Sequence, residues 1–505
     1  MKFETDVLII GGGITGASIA RELSQYDIEV TVAEKSPDTF TQQTKSSHAF
    51  IYSDASLVNA VSLVLKSILD PEAKLWEPDS PKNKFANRGH ALFAPLAERL
   101  DIPYEPLKCL VVARNDEQMQ GLKKLYEITE EMGIKNDVKW LNPQEILDME
   151  PNVNPNVQGG LYSEKSAKIV FPPDYAIANI DNARDNGVHF LYDAEVTEIE
   201  TQDSGKRFVS RTPRHSITSK FIINAAGLYA DKIADLANAR DDWDIILFRS
   251  QMVLLDRSIA TRFKTVNMIL GPPAPGFFEG ICLQTHGNPY IFCGKYNPIE
   301  DKGATETRSE WFKENLEHGK GLLGGFSEAD VITSFTGVRA FNTRDREENI
   351  IEFSKNQPNF LNAAIRLPGF TFSAAVAEHV AELMQGRGVK LTKKSDYNPF
   401  RKGIPRFKQL SEREKEELIR RDPAYGRVIC RCETVTEGEI LEAIRRGART
   451  IQGIQFRTRA GMGRCQRNFC GPRVVEILAR ELDLPVSKIS KEGAGSEEIM
   501  YNSVD

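Results

Sequence analysis

The chain has 505 residues, too many for one ordinary domain and enough to bury at least two hydrophobic cores. Apolar residues make up 41% and charged residues 27%, as in an ordinary soluble globular protein. The net charge of −6 gives no reason to expect nucleic acid or an anionic membrane as a partner.

The N-terminal residues carry no targeting pattern. The apolar run Val7–Ile10 is too short for a signal peptide, and Glu4 and Asp6 stand where basic residues would precede one. No stretch approaches the roughly 20 apolar residues needed to span a bilayer, so we expect no membrane insertion. The cytoplasm is the predicted compartment.

A glycine fingerprint follows the first predicted strand. Gly11, Gly13 and Gly16 open a helix, and a second strand then ends before Glu34. This strand–turn–helix–strand order predicts a parallel sheet. The glycines allow a tight turn, a close pyrophosphate and close helix packing, while Glu34 suits a hydrogen bond to a ribose. The pattern predicts a dinucleotide site, because a glycine turn without a ligand would leave Glu34 unexplained.

A later strand favours FAD over NAD. The segment 221–227 is apolar and ends in small residues, including Ala225 and Gly227. A second close approach to the dinucleotide, about 210 residues after the first, is expected of a large FAD domain. The chain has no second G-x-G-x-x-G after a strand, so we expect no NAD(P)H site of its own.

The remaining pattern divides the chain into parts. Residues 245–300 look strand-like with turn residues, which predicts an antiparallel sheet inserted into the nucleotide domain. Residues 391–426 are rich in Lys, Arg, Glu and Pro and are predicted to be a linker. The expected parts are an oxidoreductase at 1–390 (nucleotide-binding at about 1–55, 145–235 and 326–390; substrate cap at about 56–144 and 236–325), the linker at 391–426, a compact module at 427–485 and a polar tail at 486–505.

Five motifs occur in an order typical of one family. They are the early fingerprint, residues 150–155, residues 224–227, residues 337–339 and residues 367–371. Residues 3–385 resemble the D-amino-acid-oxidase-like FAD family, within the branch of glycerol-3-phosphate and L-2-hydroxyglutarate dehydrogenases. The expected fold is α/β: a Rossmann-like FAD domain with an inserted antiparallel-sheet substrate domain.

The resemblance also implies site residues. The flavin ring would be held near Gly369–Phe372, with Arg339 near the substrate or flavin carbonyls. Ser46 and Ser47 would follow the pyrophosphate and ring, and Val196, in a predicted strand, would touch the adenine. The predicted FAD contacts are Gly11, Gly13, Gly16, Glu34, Lys35, Ser46, Ser47, Val196, Ala225, Gly227, Arg339, Gly369, Phe370 and Thr371.

Oxidation of an alcohol by flavin needs a base for the hydroxyl proton and cations for an anionic substrate. Hydroxy-acid members of the family commonly carry a histidine where this chain has Tyr52, and the only histidine nearby is His48, so either could be involved and His48 could instead be structural. Glycerol-3-phosphate dehydrogenases usually have Gly-Gly-Lys near the last flavin-contacting turn, where the lysine binds the substrate phosphate. This chain has Arg366-Leu-Pro-Gly369 instead, and Arg366 could replace the lysine although its geometry and reach differ. The predicted catalytic group is therefore His48, Tyr52, Arg339 and Arg366, with Arg249 a further anion-binding candidate.

Four cysteines crowd near the C-terminus. Cys430-x-Cys432 is followed by 32 residues and then by Cys465-x4-Cys470. Four thiolates suit a [2Fe–2S] cluster or tetrahedral zinc, and C-x-C spacing is less common in structural zinc sites. The module resembles the [2Fe–2S] domain of bacterioferritin-associated ferredoxins, and residues 458–470 resemble the tail of the large subunit of anaerobic glycerol-3-phosphate dehydrogenases. A small helical iron–sulfur domain is therefore expected.

These features leave several functions open. The first is a dehydrogenase that oxidises a small anionic alcohol, either glycerol 3-phosphate or an L-2-hydroxy acid. It would pass electrons through the cluster to a second redox subunit or another acceptor. The second is an amine or amino-acid dehydrogenase, because the same fold takes C–N substrates. The third is a non-catalytic redox-sensing subunit with the cysteines as a switch.

Overall fold

The computed structural model describes residues 1–61, 63, 77, 79–272, 277–283, 287–295, 297–344, 349–365 and 368–497. Its strands are β1 Lys2–Ile10, β2 Val30–Ala33, β3 Phe50–Ile51, β4 Tyr104–Ala113, β5 Lys139–Leu141, β6 Gly159–Val170, β7 His189–Leu191, β8 Glu198–Gln202, β9 Arg207–Arg211, β10 Ser216–Asn224, β11 Ile245–Leu255, β12 Met268–Leu270, β13 Phe277–Leu283, β14 Pro289–Lys295, β15 Asn297–Ile299, β16 Val331–Asn342, β17 Ile350–Phe353, β18 Phe360–Ala364, β19 Val428–Cys430 and β20 Val435–Thr436. The helices numbered here are α1 Ile14–Leu23, α2 Pro81–Arg99, α3 Asp116–Glu131, α4 Pro143–Met149, α5 Pro172–Asp185, α6 Ala230–Leu236, α7 Ser309–Leu322, α8 Gly369–Gly386, α9 Glu412–Arg421, α10 Glu437–Arg445, α11 Ile451–Thr458 and α12 Gly471–Leu482.

The first sheet is built around β1. Its order is β17-β18-β10-β1-β2-β7, and β1 runs parallel to both β10 and β2. The hairpin β8–β9 extends β10 on one side. Residues Val7–Ile10 are at most 5% exposed, because α1 and α8 cover one face of the sheet and α6 packs on the other. The continuous apolar run in the sequence thus marks a central parallel strand, and the predicted parallel sheet is confirmed.

The second sheet has ten strands, in the order β15-β11-β14-β13-β12-β4-β6-β3, with β16 on β11 and β5 on β6. Every pairing in it is antiparallel except that of β12 with β4. One face carries an apolar cluster that includes Met252 and Tyr290, and the other carries one that includes Val253 and Ile291 beneath α7. The inserted sheet was expected, but β6 and β16 belong to it although both lie in ranges expected to be nucleotide-binding.

The C-terminal module is small and largely helical. Helices α10, α11 and α12 surround a core of buried aliphatic residues and two cysteines, beside the two-stranded β19–β20 ladder. This matches the expected helical module. The range expected to be a linker, 391–426, contains α9, which begins with a capping box at Ser411. No helix among the described residues is long and apolar enough to cross a bilayer.

One buried ion pair joins this module to the first sheet. The Arg457 guanidinium on α11 donates to both carboxylate oxygens of Asp38, at 2.5 and 2.9 Å. Both side chains are at most 5% exposed. Burial lowers the pKa of Arg457, but the charge and hydrogen bonds of Asp38, together with the more distant Asp181 and Tyr192, raise it above its usual value. Beside the pair, the Phe456 ring meets the Phe40 ring edge-on at 5.1 Å. The module is therefore anchored to the loop that follows Glu34.

We predict that Asp38→Asn destabilises the protein by about 3–5 kcal/mol, because it leaves the Arg457 charge buried without its counter-charge. Thermal unfolding of the purified protein measures this loss. Arg88→Ala is the matched control, since the Arg88–Glu378 pair lies at the surface and should contribute less than about 1 kcal/mol. Equal unfolding temperatures for the two variants would contradict the prediction.

Candidate functional site

A cavity of about 370 Å³ runs along the carboxyl ends of β1 and β2. Most of the predicted FAD contacts line it: Gly11, Gly13, Glu34, Lys35, Ser47, Val196, Ala225, Gly227, Arg339, Gly369 and Phe370. The other three predicted residues support its wall. Gly16 lies under the turn, Ser46 accepts a hydrogen bond from Arg339, and Thr371 is buried at the start of α8.

The glycine turn requires its glycines for steric reasons. Gly11 has φ +108°, which side chains rarely adopt, and a Cβ there would lie 2.5 Å from the Ala225 carbonyl oxygen. A Cβ on Gly16 would lie 1.9 Å from the Gly11 carbonyl oxygen. Gly13 has no side chain with which to cap the N-terminus of α1, and Gly13, Ile14 and Thr15 line the cavity, so the positive end of the helix dipole faces it. This arrangement fits the pyrophosphate of a dinucleotide.

Glu34 presents a buried carboxylate to the cavity. Its Oε2 accepts a hydrogen bond from the Gly12 amide at 2.7 Å, and its Oε1 accepts one from the Ser36 amide at 2.9 Å. Burial raises the pKa of Glu34, whereas these amides lower it. A carboxylate with free lone pairs at this position suits a ribose diol. Val196 lies just before β8 and not in a strand as predicted, but it lines the same end of the cavity.

Several residues that line the cavity were missed from the sequence. Thr44 accepts a hydrogen bond at its Oγ1 from the Ile14 amide, 3.2 Å away. The Lys35 ammonium group lies over the Tyr229 ring, with its Nζ 3.5 Å from the ring centroid. The polar run 41–47 that follows Glu34 is a signal that could have indicated Thr44. Tyr229 carries no comparable signal, because only the fold brings it to Lys35.

Next to the cavity-lining Ser47 is a partly buried histidine that is surrounded by aromatic rings. His48 follows Ser47, and its ring lies 4.5 Å from the Phe292 ring and 5.7 Å from the Tyr290 ring, measured between centroids. Its buried Nδ1 has no hydrogen-bond partner among the described residues. Burial lowers the pKa of His48 well below its usual value, and the positive charge of Arg339 lowers it further. The structure thus places a neutral imidazole beside a buried arginine.

The other predicted catalytic residues are placed differently. The Tyr52 ring packs at the edge of the apolar cluster around Tyr290, and its backbone amide donates to Thr371. Arg366 lies outside the described residues. The Arg249 guanidinium stacks on Trp311 and pairs with Glu306 on the α7 face, whereas Arg339 on the adjacent strand faces Ser46. Arg249 therefore lies on the wrong face of the sheet to bind a ligand in this cavity.

The four predicted cysteine ligands form two pairs. The sulfur atoms of Cys432 and Cys465 lie 3.5 Å apart. Cys430 is hydrogen-bonded to Cys470, which lowers the pKa of the Cys430 thiol, and it also accepts from the Gly461 amide at 3.4 Å. Within the described residues, no three Cys, His, Asp or Glu side chains converge on one metal position. The four thiols, two in each pair, fit a [2Fe–2S] cluster, which takes four cysteine ligands.

Comparisons with known proteins agree with both sites. Residues 6–383 match the family model described as FAD dependent oxidoreductase, and residues 428–480 match the BFD-like [2Fe-2S] binding domain. Glycerol 3-phosphate dehydrogenase of Caloramator mitchellensis is 37% identical over 497 residues, which is 97% of each chain. An anaerobic glycerol-3-phosphate dehydrogenase subunit of Escherichia coli is 23% identical and covers 94% of this chain and 88% of its own.

A solved structure shows the same fold with its cofactor. The dithionite-reduced L-alpha-glycerophosphate oxidase of Mycoplasma pneumoniae, with FAD bound, superposes with a TM-score of 0.66. It is 26% identical and covers 80% of this chain and 99% of its own. The 37% relative therefore extends over both the flavin-binding part and the cysteine module, whereas the oxidase matches a smaller part of the chain.

Proposed function

The chain belongs to the family of FAD-dependent oxidoreductases, and on that basis we propose that it oxidises glycerol 3-phosphate and passes the electrons through a [2Fe–2S] cluster to a partner protein. One observation carries the proposal: His48, which directly follows the cavity-lining Ser47, lies close enough to Arg339, itself part of the FAD cavity wall, for burial and the arginine charge to keep the imidazole neutral. A base and a cation at one point are what the oxidation of an anionic alcohol requires.

His48 is the proposed base. Because its pKa is lowered by burial and by Arg339, the imidazole is neutral near pH 7 and can take the hydroxyl proton at Nδ1. Bound FAD supplies the hydride acceptor. The alcohol loses this hydride and the hydroxyl proton together, and a ketone results. The aromatic rings around His48 lower the local dielectric, which strengthens the attraction of the nearby Arg339 guanidinium for an anionic substrate.

Arg339 is the proposed anion holder. Its side chain is buried, and its Nη2 donates to the Ser46 carbonyl oxygen at 3.1 Å. Gly337 precedes it on β16 and lies directly against Ser46, where a Cβ would come 2.6 Å from the hydroxyl oxygen. This close contact holds the serine segment and Arg339 together. We propose Arg366 as a second contact for the substrate phosphate. Tyr52 is proposed to shape the substrate site near His48.

The contact between the two sites supports the proposed electron route. Met462 of the module packs against the cluster that contains Ile14, Phe40 and Phe370, all of which line the FAD cavity. The preceding residue, Gly461, donates its amide to the sulfur of Cys430. Packed side chains therefore connect the cavity wall to a cysteine ligand, as a route for single electrons requires.

The domain division, the electron acceptor and the compartment are also part of the proposal. We keep the division into an oxidoreductase at 1–390, a linker at 391–426, a [2Fe–2S] domain at 427–485 and a tail at 486–505. We also propose that the acceptor is a second redox subunit, since one relative is named as a subunit of an anaerobic dehydrogenase. The cytoplasm is the proposed compartment, because four closely spaced thiols persist as ligands in a reducing environment.

Anaerobic titration of the flavin absorbance distinguishes the candidate substrates. We expect glycerol 3-phosphate to bleach the flavin band, and L-2-hydroxyglutarate and amino acids to leave it unchanged. Bleaching by L-2-hydroxyglutarate alone would mean that Arg339 binds a substrate carboxylate and not a phosphate. Bleaching by amino acids alone would indicate C–N oxidation, and a flavin that no compound reduces would favour the non-catalytic alternative.

We predict that His48→Asn slows flavin reduction by about 10²–10⁴-fold, because the hydroxyl proton then has no acceptor. Single-turnover flavin reduction at saturating glycerol 3-phosphate measures the rate. In the parent protein the rate should stay level as the pH falls through 6.5 and decline only below the lowered pKa of His48. His379→Asn, at an exposed histidine on α8, is the control. A His48→Asn rate within threefold of the parent rate would remove His48 from the reaction.

A further inference from the structure

We propose that the exposed edge of the cysteine module is a docking surface for an acidic one-electron acceptor protein, with Phe469 as its apolar anchor. We call this surface the thiol edge and define it by Val428, Arg431, Cys432, Phe469 and Arg473. The inference rests on the proposed function, in which electrons leave through the cluster. It adds the location of the exit and the charge of the acceptor.

The cysteines differ in their exposure. Cys430 and Cys470 are buried at 1% and 2%, whereas Cys432 is exposed and Cys465 is partly exposed. One pair of sulfur atoms thus faces the module core and the other faces the surface. The buried pair lies nearest the contact with the FAD cavity, through Gly461. Electrons that enter on the buried side therefore have an exit at Cys432 and Cys465.

An exposed aromatic side chain stands beside this exit. Phe469 directly precedes Cys470 and is 77% exposed, and Val428, two residues before Cys430, is 38% exposed. The turn that carries Phe469 is fixed by its backbone, since the Asn468 amide donates to the Cys465 carbonyl and the Gly471 amide donates to the Arg467 carbonyl. An exposed ring on a turn with a fixed backbone, next in the chain to a redox ligand, is suited to insert into a partner.

The two segments that carry the cysteines have an excess of positive charge. The segments 427–432 and 463–473 contain five arginines and no aspartate or glutamate, and of these Arg427 and Arg464 pair with acidic residues outside them, Glu437 and Asp256. Glu433, the next residue after Cys432, is buried and forms ion pairs with Arg257 and Arg459. Within the described part of the chain, Arg431 and Arg473 form no ion pair. An acidic partner supplies the missing counter-charges and is drawn toward the thiol edge.

A protein partner fits these features better than a membrane does. A single aromatic ring in a tight turn presents little apolar area to a bilayer, whereas one anchor surrounded by charge is typical of a small transient protein interface. The exposed sulfur pair also gains nothing from a lipid, because a lipid headgroup accepts no electron. Binding to anionic lipid is therefore treated as an outcome of the test.

The electron count at the surface is simple. Substrate oxidation would deliver two electrons, and a [2Fe–2S] cluster held by the four cysteines would pass one electron to the acceptor in each encounter. A haem acceptor is reduced from ferric to ferrous in the same step, and no bond forms or breaks. Two encounters per substrate complete the balance, and the two protons from the alcohol pass to solvent.

The first test is binding, measured by titration calorimetry on the oxidised holoprotein. The probes are the soluble haem domain of cytochrome b5, which is acidic, and cytochrome c, which is basic. We expect the acidic probe alone to bind, with a dissociation constant that rises about 10-fold in Phe469→Ala and at least 10-fold in Arg431→Glu/Arg473→Glu at low salt. At 0.5 M salt the effect of the charge reversal should disappear.

The second test is electron transfer after photochemical reduction of the holoprotein, which requires no substrate and so stands apart from the proposed glycerol 3-phosphate activity. Stopped-flow mixing with the acidic probe should give second-order rate constants that fall by the same factors. The midpoint potential of the cluster, from redox titration followed by electron paramagnetic resonance, should be unchanged in Phe469→Ala. Iron content and the visible spectrum establish that each variant carries its cluster.

Matched controls lie outside the module. Phe400→Ala removes an aromatic ring that is 61% exposed, and Arg413→Glu/Arg420→Glu makes the same change in net charge on α9. Both should bind and reduce the acidic probe like the parent. The proposal is overturned if Phe469→Ala and the charge reversal stay within twofold of the parent, or if the basic probe reacts as fast as the acidic one. It is also overturned if the holoprotein binds phosphatidylglycerol vesicles through these arginines and does not bind the acidic probe.

Discussion

The buried ion pair between Asp38 and Arg457 holds the two redox sites in one body. Asp38 lies four residues after Glu34, at the ribose end of the cavity, and Arg457 lies on the helix that leads to Gly461 and Cys430. A buried pair of this kind adds little net stability over apolar packing, but it fixes register, because either charge alone is costly. The position of the cysteine module relative to the flavin cavity therefore depends on this buried pair more than on the partly exposed pairs around it.

Further contacts around the Asp38–Arg457 pair join the module to both sheets. Phe456 meets Phe40 edge-on, and Arg459 donates to Glu433 and, at 2.5 Å, to the amide oxygen of Asn288. Asn288 lies two residues before Tyr290, whose ring stacks near His48. The module thus contacts both the nucleotide-binding sheet and the inserted sheet. A displacement of the module would disturb the wall of the FAD cavity and the strand that supports the proposed base.

The sequence allowed the fold class and much of the candidate site to be predicted, for local reasons. The glycine turn and Glu34 follow from rules of close approach and hydrogen bonding that act over about 25 residues, and the cysteine spacing is equally local. The faces of the inserted sheet could not be predicted, because its strands β4, β6, β11 and β16 are far apart in the chain. Arg339 and, as a further candidate, Arg249 were both predicted from the sequence to hold an anion, yet their strands present them to opposite faces. Tyr229 meets Lys35 for the same kind of non-local reason.

The central claim is that flavin and cluster form one electron path within the chain. Rapid-freeze electron paramagnetic resonance after anaerobic mixing with glycerol 3-phosphate tests it most directly. The account predicts that the signal of the reduced cluster rises as soon as the flavin is reduced, in protein that holds two irons per chain. A flavin that is fully reduced while a loaded cluster stays oxidised would contradict the account.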